Sequence, residues 1–265
     1  MYEGEIKAQG DSVIIRSLAS ITISDHVVGQ KITYQRPTSI AQTMLIDKGK
    51  VWAVELDDVM KVQADLTLLD KWTDDAAMQL KLSVETGFFG TIYADVHASN
   101  SGLTAGVKSS SYSMGVFGTP LAATKVNILD YIVDAGSVLD EQNVPETGRW
   151  FVIPTWASGM IKKSDLKDAS MTGDGSSPIR NGRIGMIDRF TLYSSNLLTS
   201  VPDGAFTGYY SLFGHNDAVS FATQLTKTES LRSQDSFADL VRGLKVYGYK
   251  AVKPESFGTM YMRKG

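Results

Sequence analysis

The sequence predicts a mixed fold in which strands and helices occupy separate stretches of the chain. Three observations carry this. Residues 1–56 hold short β-branched runs divided by polar turns. Residues 58–96 switch to a helical period and keep it. The C-terminal part alternates again, as in Gly243-Leu244-Lys245-Val246-Tyr247-Gly248-Tyr249-Lys250.

In the first region, Val13-Ile14-Ile15, Ile21-Thr22-Ile23 and Lys31-Ile32-Thr33-Tyr34 read as strands, with Gln9-Gly10-Asp11-Ser12 as a turn. Met44-Leu45-Ile46 and Val51-Trp52-Ala53-Val54 flank Asp47-Lys48-Gly49-Lys50. A glycine in a short polar connection between apolar runs is a hairpin signal, and its two lysines suit an exposed tip.

In the second region Val59, Val62, Leu66, Leu69, Ala76, Leu80, Val84, Phe88 and Ile92 form one stripe at helical spacing. Asp57 and Asp58 stand where a cap and favourable charge are wanted. The spacing predicts a helix over 64–96, about 50 Å long, although Gly87 and Gly90 weaken its last turns.

Residues 97–119, rich in Ser, Gly, Asn and Thr, read as a loop. A second helix is expected over 121–142, with Leu121, Val126, Leu129, Ile132, Val133 and Leu139 on one face, ended by Asn143-Val144-Pro145. Arg149–Pro154 is a buried-strand pattern stopped by proline. Residues 155–182 are polar and turn-rich, and 182–193 read as a strand pair or a bulged long strand. A short helical stretch is expected from Asn216 to about Leu225.

No reaction centre emerges. His26, His97 and His215 lie in separate segments, without a second histidine or carboxylate at ligand spacing. Phosphate-cradling glycine motifs and the serine-hydrolase elbow are absent. Asp57-Asp58 and Asp74-Asp75 are adjacent carboxylates, which point apart on a helix and read as solvated helix starts. Thr172-Gly173-Asp174-Gly175 has too few carboxylates for a calcium loop. Tyr209, Tyr210, Phe213 and Phe221 are read as core rather than a stacking platform. Arg232, Arg242, Lys245, Lys250, Lys253, Arg263 and Lys264 concentrate base near the end of the chain, where ordinary surface charge explains them equally well. No catalytic residue, cofactor-binding residue or metal ligand is therefore assigned, and no enzyme is expected.

Bulk properties agree. Hydrophobic residues make up 43% and charged residues 21%, so a packed core is expected and wholesale disorder is not. Net charge is -3, without the basic excess of a dedicated nucleic-acid binder. The absence of cysteine removes disulfides and thiol chemistry. No apolar run suits a bilayer span, and the acidic start Met1-Tyr2-Glu3-Gly4-Glu5 is unlike a signal peptide. A soluble, non-secreted product without a membrane partner is expected.

The order of these segments resembles the major capsid proteins of tailed bacteriophages, those with the fold named after phage Hong Kong ninety-seven, in a podophage-like branch. Tyr2–Ile6, Gly10–Val13 and Ile21–Asp25 look like its opening strands. Leu45–Lys50 followed by Val54–Asp58 looks like its extended loop running into the spine helix. Asn143–Pro154, Gly182–Leu197 and Gly243–Lys250 with Pro254-Glu255 continue the match, so the resemblance spans almost the whole chain.

The resemblance implies an α+β subunit with a long spine helix, an extended β-hairpin loop, and peripheral and axial domains. Residues 1–19 would be N-terminal strands of the peripheral domain and 20–57 the extended loop. Residues 58–120 would hold the spine helix, 121–240 the axial domain, and 241–265 the C-terminal strands of the peripheral domain. It implies a structural protein that self-assembles into pentamers and hexamers of an icosahedral shell. Scaffolding and portal proteins would be partners, and packaged double-stranded DNA would be touched without sequence preference. The shell would be built in the host cytoplasm and reside in the virion. A β-rich adhesion or carbohydrate-binding module is the alternative. Because an isolated apolar ribbon is marginal in water, and because the family lays its extended loop over a neighbour, Met44, Ile46, Asp47, Lys48, Lys50 and Trp52 are the expected inter-subunit contacts.

Overall fold

The computed structural model describes residues 12–17, 40–63, 68–164 and 185–265, with isolated residues between 21 and 38. The first half of the chain gives β1 (Ser12–Ser17), β2 (Ile40–Leu45), β3 (Lys48–Asp57), α1 (Asp58–Gln63), α2 (Leu68–Ile92), β4 (Leu121–Ala123) and α3 (Ile128–Glu141). The second gives β5 (Arg149–Pro154), α4 (Thr155–Lys163), β6 (Met186–Ile187), β7 (Phe190–Ser195), β8 (Ser200–Asp203), β9 (Phe206–His215), β10 (Val219–Arg232), β11 (Ala238–Ala251) and β12 (Phe257–Lys264). The opening match from Tyr2 to Asp11 and the glycine-rich stretch from Thr172 to Pro178 lie outside the described residues.

These strands build three sheets. The widest has the order β4-β12-β9-β5-β7-β6, with β8 also on β9. Its centre is apolar on both sides, and parity along each strand shows why. Phe151, Ile153, Phe213, Met260 and Met262 join the cluster under α3 and α4. Trp150, Val152, Leu212 and Phe257 face the other way, toward Phe88, Phe89 and Ile92 at the end of α2. A sheet covered on both faces has near-continuous apolar strands, as β12 does with six successive buried residues.

The second sheet is long and narrow, β10-β11-β3, wholly antiparallel, with strands of up to 14 residues. The third is the ribbon β1–β2, which carries Val13, Ile15, Met44 and Ile46 onto Ala222 and Val252 of the long sheet's neighbourhood. Two close approaches seat these layers on β11. A Cβ on Gly248 would lie 2.1 Å from the Leu45 carbonyl oxygen, and one on Gly243 would lie 2.2 Å from Trp52 Nε1. Only glycine admits either neighbour.

Buried Arg149 locks α3 to β5. Its guanidinium lies under the C-terminal end of α3 and donates to the Pro145, Gly136 and Val144 carbonyls at 2.9, 3.4 and 2.7 Å, and to Asp140 Oδ1 at 2.6 Å. A cation there meets the carbonyls of the return from α3 to β5 and favours the negative end of the helix. Arg189 takes the other Asp140 oxygen at 2.9 Å and Glu146 at 2.9 Å. It sits in the β6–β7 turn, where Asp188 and Arg189 both have positive φ, 44° and 65°, as a two-residue hairpin turn of strand-compatible twist requires. That turn bears out the strand pair read over 182–193, of which residues 182–184 lie outside the described residues.

Several expectations are corrected. Residues 44–54 do not form a hairpin: β2 pairs with β1 and β3 pairs with β11, so Asp47 joins two sheets rather than tipping a ribbon. The long partner β11 offers β3 ten paired positions, far more than a short ribbon could. The helical stripe is not one face. α2 spans 25 residues, about 38 Å, and ends at Ile92 in a single tighter turn, Tyr93–Asp95, held where Tyr93 stacks on Tyr210 at 4.3 Å. Residues 64–67, Leu66 among them, lie outside the described residues. Val84 and Ile92 are buried, whereas Val59 and Val62 on α1 are exposed.

The helix expected from 121 starts at 128. Residues 121–123 pair in parallel with β12 instead, and Asn127 fixes the turn by accepting from Thr124 N at 2.7 Å and donating to Ala122 O at 2.9 Å. Residues 155–163 form a helix rather than a turn-rich loop, burying Ala157, Ser158 and Ile161. Residues 219–225 belong to β10 rather than a helix, because Val219, Phe221 and Thr223 find partners on β11.

The Asp140 lock has a pH signature. Burial pushes its carboxyl up, but the hydrogen bonds and charges of Arg149 and Arg189 together outweigh that and hold it below the usual carboxylate range. A lowered folded value means stability that is complete above about pH 4, the unfolded value, and lost as pH falls through the folded one. Asp140→Asn should therefore lower the unfolding free energy measured in urea near neutral pH, by about 1 kcal/mol after allowance for solvent screening. The gap from wild type should narrow as pH falls below about 4; a gap constant from pH 7 to pH 2 would contradict the lock. Gly248→Ala should separate β2 from β11 at a cost of about 1–3 kcal/mol, seen as faster hydrogen exchange in 40–45.

Candidate assembly surface

The long sheet has two faces set by strand parity. On one, β3 turns Lys48, Lys50, Trp52, Val54 and Leu56 inward, half-buried or buried. Opposite them on β11 stand Tyr247, Lys245, Gly243, Val241 and Asp239. α2 lies against part of this face: Phe88 meets Tyr249 edge-on at 5.1 Å, and the Tyr249 hydroxyl donates to the Gly87 carbonyl at 3.0 Å. An apolar groove of about 520 Å³ remains between α2 and the sheets, lined by Val84, Phe88, Phe89, Trp150, Val219 and Phe221.

The other face is covered at one end only. The β1–β2 ribbon lies over Ala222, Val246 and Val252, tied by Gln42 Nε2 to the Val252 carbonyl at 3.2 Å and by Lys250 Nζ to the Thr43 carbonyl at 2.9 Å. Beyond the ribbon a groove of about 640 Å³ opens along Val51, Ala53, Leu244, Lys227, Glu229 and Arg242. Arg242 Nη2 reaches Glu229 at 2.8 Å, and Lys227 pairs with the same carboxylate. Their charges together hold the Glu229 carboxyl below its usual range, Lys227 foremost.

The six contact residues expected from the sequence divide accordingly. Met44 and Ile46 are buried inside their own chain. Lys48 reaches Asp47 at 3.3 Å and lies 4.8 Å from the Tyr249 ring centroid. Lys50 and Trp52 are half-buried, with the indole over Gly243. The outward residue that the sequence reading passed over is Val51, 75% exposed between them. Its signal was strand parity: a residue flanked by two inward neighbours must face out. Farther along the ribbon, Ile21 and Ile23 are 70% and 92% exposed and Tyr34 is 89% exposed. Gln35 pins the two limbs there, accepting from Thr22 N at 3.1 Å and donating to Thr22 O at 2.7 Å.

The remaining candidates resolve into structure. His26 is exposed, His97 accepts from Ser99 N in a one-turn helix, and His215 closes β9, so the three stay apart. Among the described residues no group of three or more acidic, histidine or cysteine side chains could hold a metal ion, and no helix is long and apolar enough to cross a membrane. Phe213 is buried, Tyr210 is stacked between Tyr93 and Tyr261, and Phe221 lies over Tyr247, so these rings serve packing. Arg232 binds Asp58 and Asp239, Lys253 reaches Asp217, and the Arg263 guanidinium sits 3.8 Å from the Phe206 ring centroid. Much of the C-terminal base is thus engaged within the chain.

A large exposed surface without a reaction centre suits a building block, and comparison with known proteins says of what. Residues 43–260 match the model of a family described as phage capsid protein. The chain belongs to that family. It is a structural capsid protein, and the family match decides against the adhesion or carbohydrate-binding alternative. A chain from Mycobacterium phage Che8 superposes with a TM-score of 0.72 at 25% identity, covering 95% of this chain and 84% of that one. The capsid of the cyanophage P-SCSP1u gives 0.69 at 14% identity, covering 97% and 85%. The capsid of a native GTA particle, described with fivefold symmetry, gives 0.64 at 12% identity, covering 97% and 86%. No curated protein matches the chain in sequence.

The surface analysis makes one prediction about the isolated subunit. Val51→Asp should leave the monomer's stability within about 0.5 kcal/mol, because the side chain is already in water. Gly243→Ala should cost about 1–3 kcal/mol by displacing the Trp52 ring. Urea unfolding of the two variants side by side checks the assignment of the two faces.

Proposed function

We propose that this capsid protein assembles through its long sheet and its β1–β2 ribbon into pentamers and hexamers of an icosahedral shell. The observation that carries the reading is the pairing of two surfaces that the described residues leave uncovered. One is the distal face of the long sheet around Val51 and Leu244; the other is the far part of the ribbon with Ile21, Ile23 and Tyr34. Covering them on neighbouring copies would remove apolar area from water at about 25 cal/mol per Å². Ion pairs such as Lys48–Asp47 are exposed and contribute only about 0.2–1 kcal/mol each. Apolar contact therefore sets the strength and the charges set the register.

In this reading Asp47, Lys48, Lys50 and Trp52 meet a neighbour directly, while Met44 and Ile46 support them from beneath. The axial domain, assigned to residues 121–240, is built on the wide sheet with α3 and α4; that sheet also takes in β12 from the C-terminal part, while β10 pairs into the long sheet instead. The peripheral domain is centred on the long sheet with α2; of the ribbon, β1 falls in the N-terminal strands over 1–19 and β2, like β3, in the extended loop over 20–57. The fivefold description of the similar GTA capsid supports a pentameric ring. The subunit catalyses nothing, encloses double-stranded DNA by contacts without sequence preference, and assembles in the bacterial cytoplasm with scaffolding and portal proteins.

Co-expression with a scaffolding partner, followed by sedimentation and negative-stain microscopy, tests the assembly surface. Wild type should give closed shells. Val51→Asp and Trp52→Asp should give folded subunits that sediment as monomers or small oligomers. Val51 and Trp52 lie on opposite faces of β3, so normal shells from one variant would remove its face from the interface and normal shells from both would remove this part of the long sheet altogether. A measured base-sequence preference on short duplexes at physiological salt would contradict the DNA reading.

A further inference from the structure

Two of the chain crossings between the long sheet and the wide sheet, β9 to β10 and β11 to β12, run side by side, and one histidine stands where they meet. His215 is the last residue of β9. Its Nε2 lies 2.9 Å from the Thr147 carbonyl oxygen. A carbonyl only accepts, so Nε2 carries the hydrogen. Its Nδ1 accepts the Asp217 backbone N–H at 3.2 Å, so Nδ1 carries none. The two contacts together select the neutral ring in one tautomer.

A second acceptor waits beside it. Asp217 Oδ2 lies 3.8 Å from Nδ1, and Lys253 Nζ reaches the same oxygen at 3.4 Å. Lys253 belongs to the other crossing, which is bound to the first through Val252 N and Lys253 N, both donating to the Ala218 carbonyl at 2.8 and 3.2 Å. The neighbouring charges on packed elements are turned elsewhere. Arg149, opposite His215 on β5, is directed to Asp140, and Glu146 on the loop after α3 is directed to Arg189. Gly148 keeps the space open, since a Cβ there would come within 3.3 Å of the ring nitrogen.

The geometry points to a proton-operated latch between the two crossings, with the His215 ring as its moving part. A proton on Nδ1 sets two N–H groups against each other. The Asp217 amide loses its acceptor, and the Asp217 carboxylate turns from Lys253 to take the new ring N–H. The neutral ring holds the β9–β10 turn closed; the charged ring exchanges that bond for one that loosens the tie to the β11–β12 crossing. The latch stands apart from the assembly surface and does not depend on it.

Hydrogen exchange of the full chain tests this, followed by mass spectrometry from about pH 5 to pH 8, with intrinsic exchange rates divided out. The fragment containing residues 214–219 should exchange roughly threefold to tenfold faster on the acid side, the effect of losing one hydrogen bond. His215→Gln should stay slow throughout, because the amide nitrogen donates to Thr147 while its oxygen accepts from Asp217. Asp217→Asn keeps the backbone N–H but removes the carboxylate shared with Lys253, so exchange around Lys253 should no longer depend on pH. A flat wild-type profile, a His215→Gln profile that follows wild type, or an Asp217→Asn chain whose exchange around Lys253 still follows pH would each overturn the latch.

Discussion

Close packing onto β11 is the constraint on which the rest of this structure depends. The strand pairs on both edges and meets α2 through Tyr249 and the β1–β2 ribbon through Gly248. Two glycines five residues apart make this possible, one under the Trp52 indole and one under the Leu45 carbonyl. An alternating strand normally presents a side chain at every position of each face. Here the missing side chains let a backbone and a large ring come within contact of the ladder itself, so sheet, ribbon and helix share one short stretch of chain.

Much of this was legible in the sequence, and the failures have physical causes. Period alone found β1, α2, α3 and β5, because each buries a face whose spacing is local. It failed where partners are remote. Residues 219–225 carry a helix-like start in Asn216–Ala218, but β11, some twenty residues on, makes them a strand. Leu121–Ala123 fit a helical face, yet the parallel edge of β12 claims them. The glycine between Met44–Ile46 and Val51–Val54 is a sound hairpin signal whose two limbs simply have longer partners elsewhere. Lys48, Lys50 and Trp52 were proposed as contacts on the strength of that mistaken turn, and only the correct strand shows that they face inward while Val51 faces out.

Arg149 shows a different limit. Nothing in its neighbours marks it as the most completely enclosed charge among the described residues. Its enclosure follows from the tight return between α3 and β5, which turns the Val144 and Pro145 carbonyls onto the guanidinium beside Asp140. The guanidinium thus satisfies the acceptors of that return from inside the cluster. Strand polarity, helix end and turn are thereby held to one geometry, which a shell subunit repeated many times requires.

The two crossings between the sheets lie side by side and are stitched through the Ala218 carbonyl. Any pull that tends to part the long sheet from the wide one therefore travels down two covalent strands at once. Neither can lengthen without shearing its bonds to the other, and shear must break several such bonds together, whereas peeling breaks them singly. Bending is braced as well, because Phe88 of α2 meets Tyr249 of the long sheet and packs in one cluster with Trp150 and Leu212 of the wide one. A subunit built this way keeps its two sheets in one relative orientation, so a wall made of such subunits has to change curvature at the contacts between copies rather than within them.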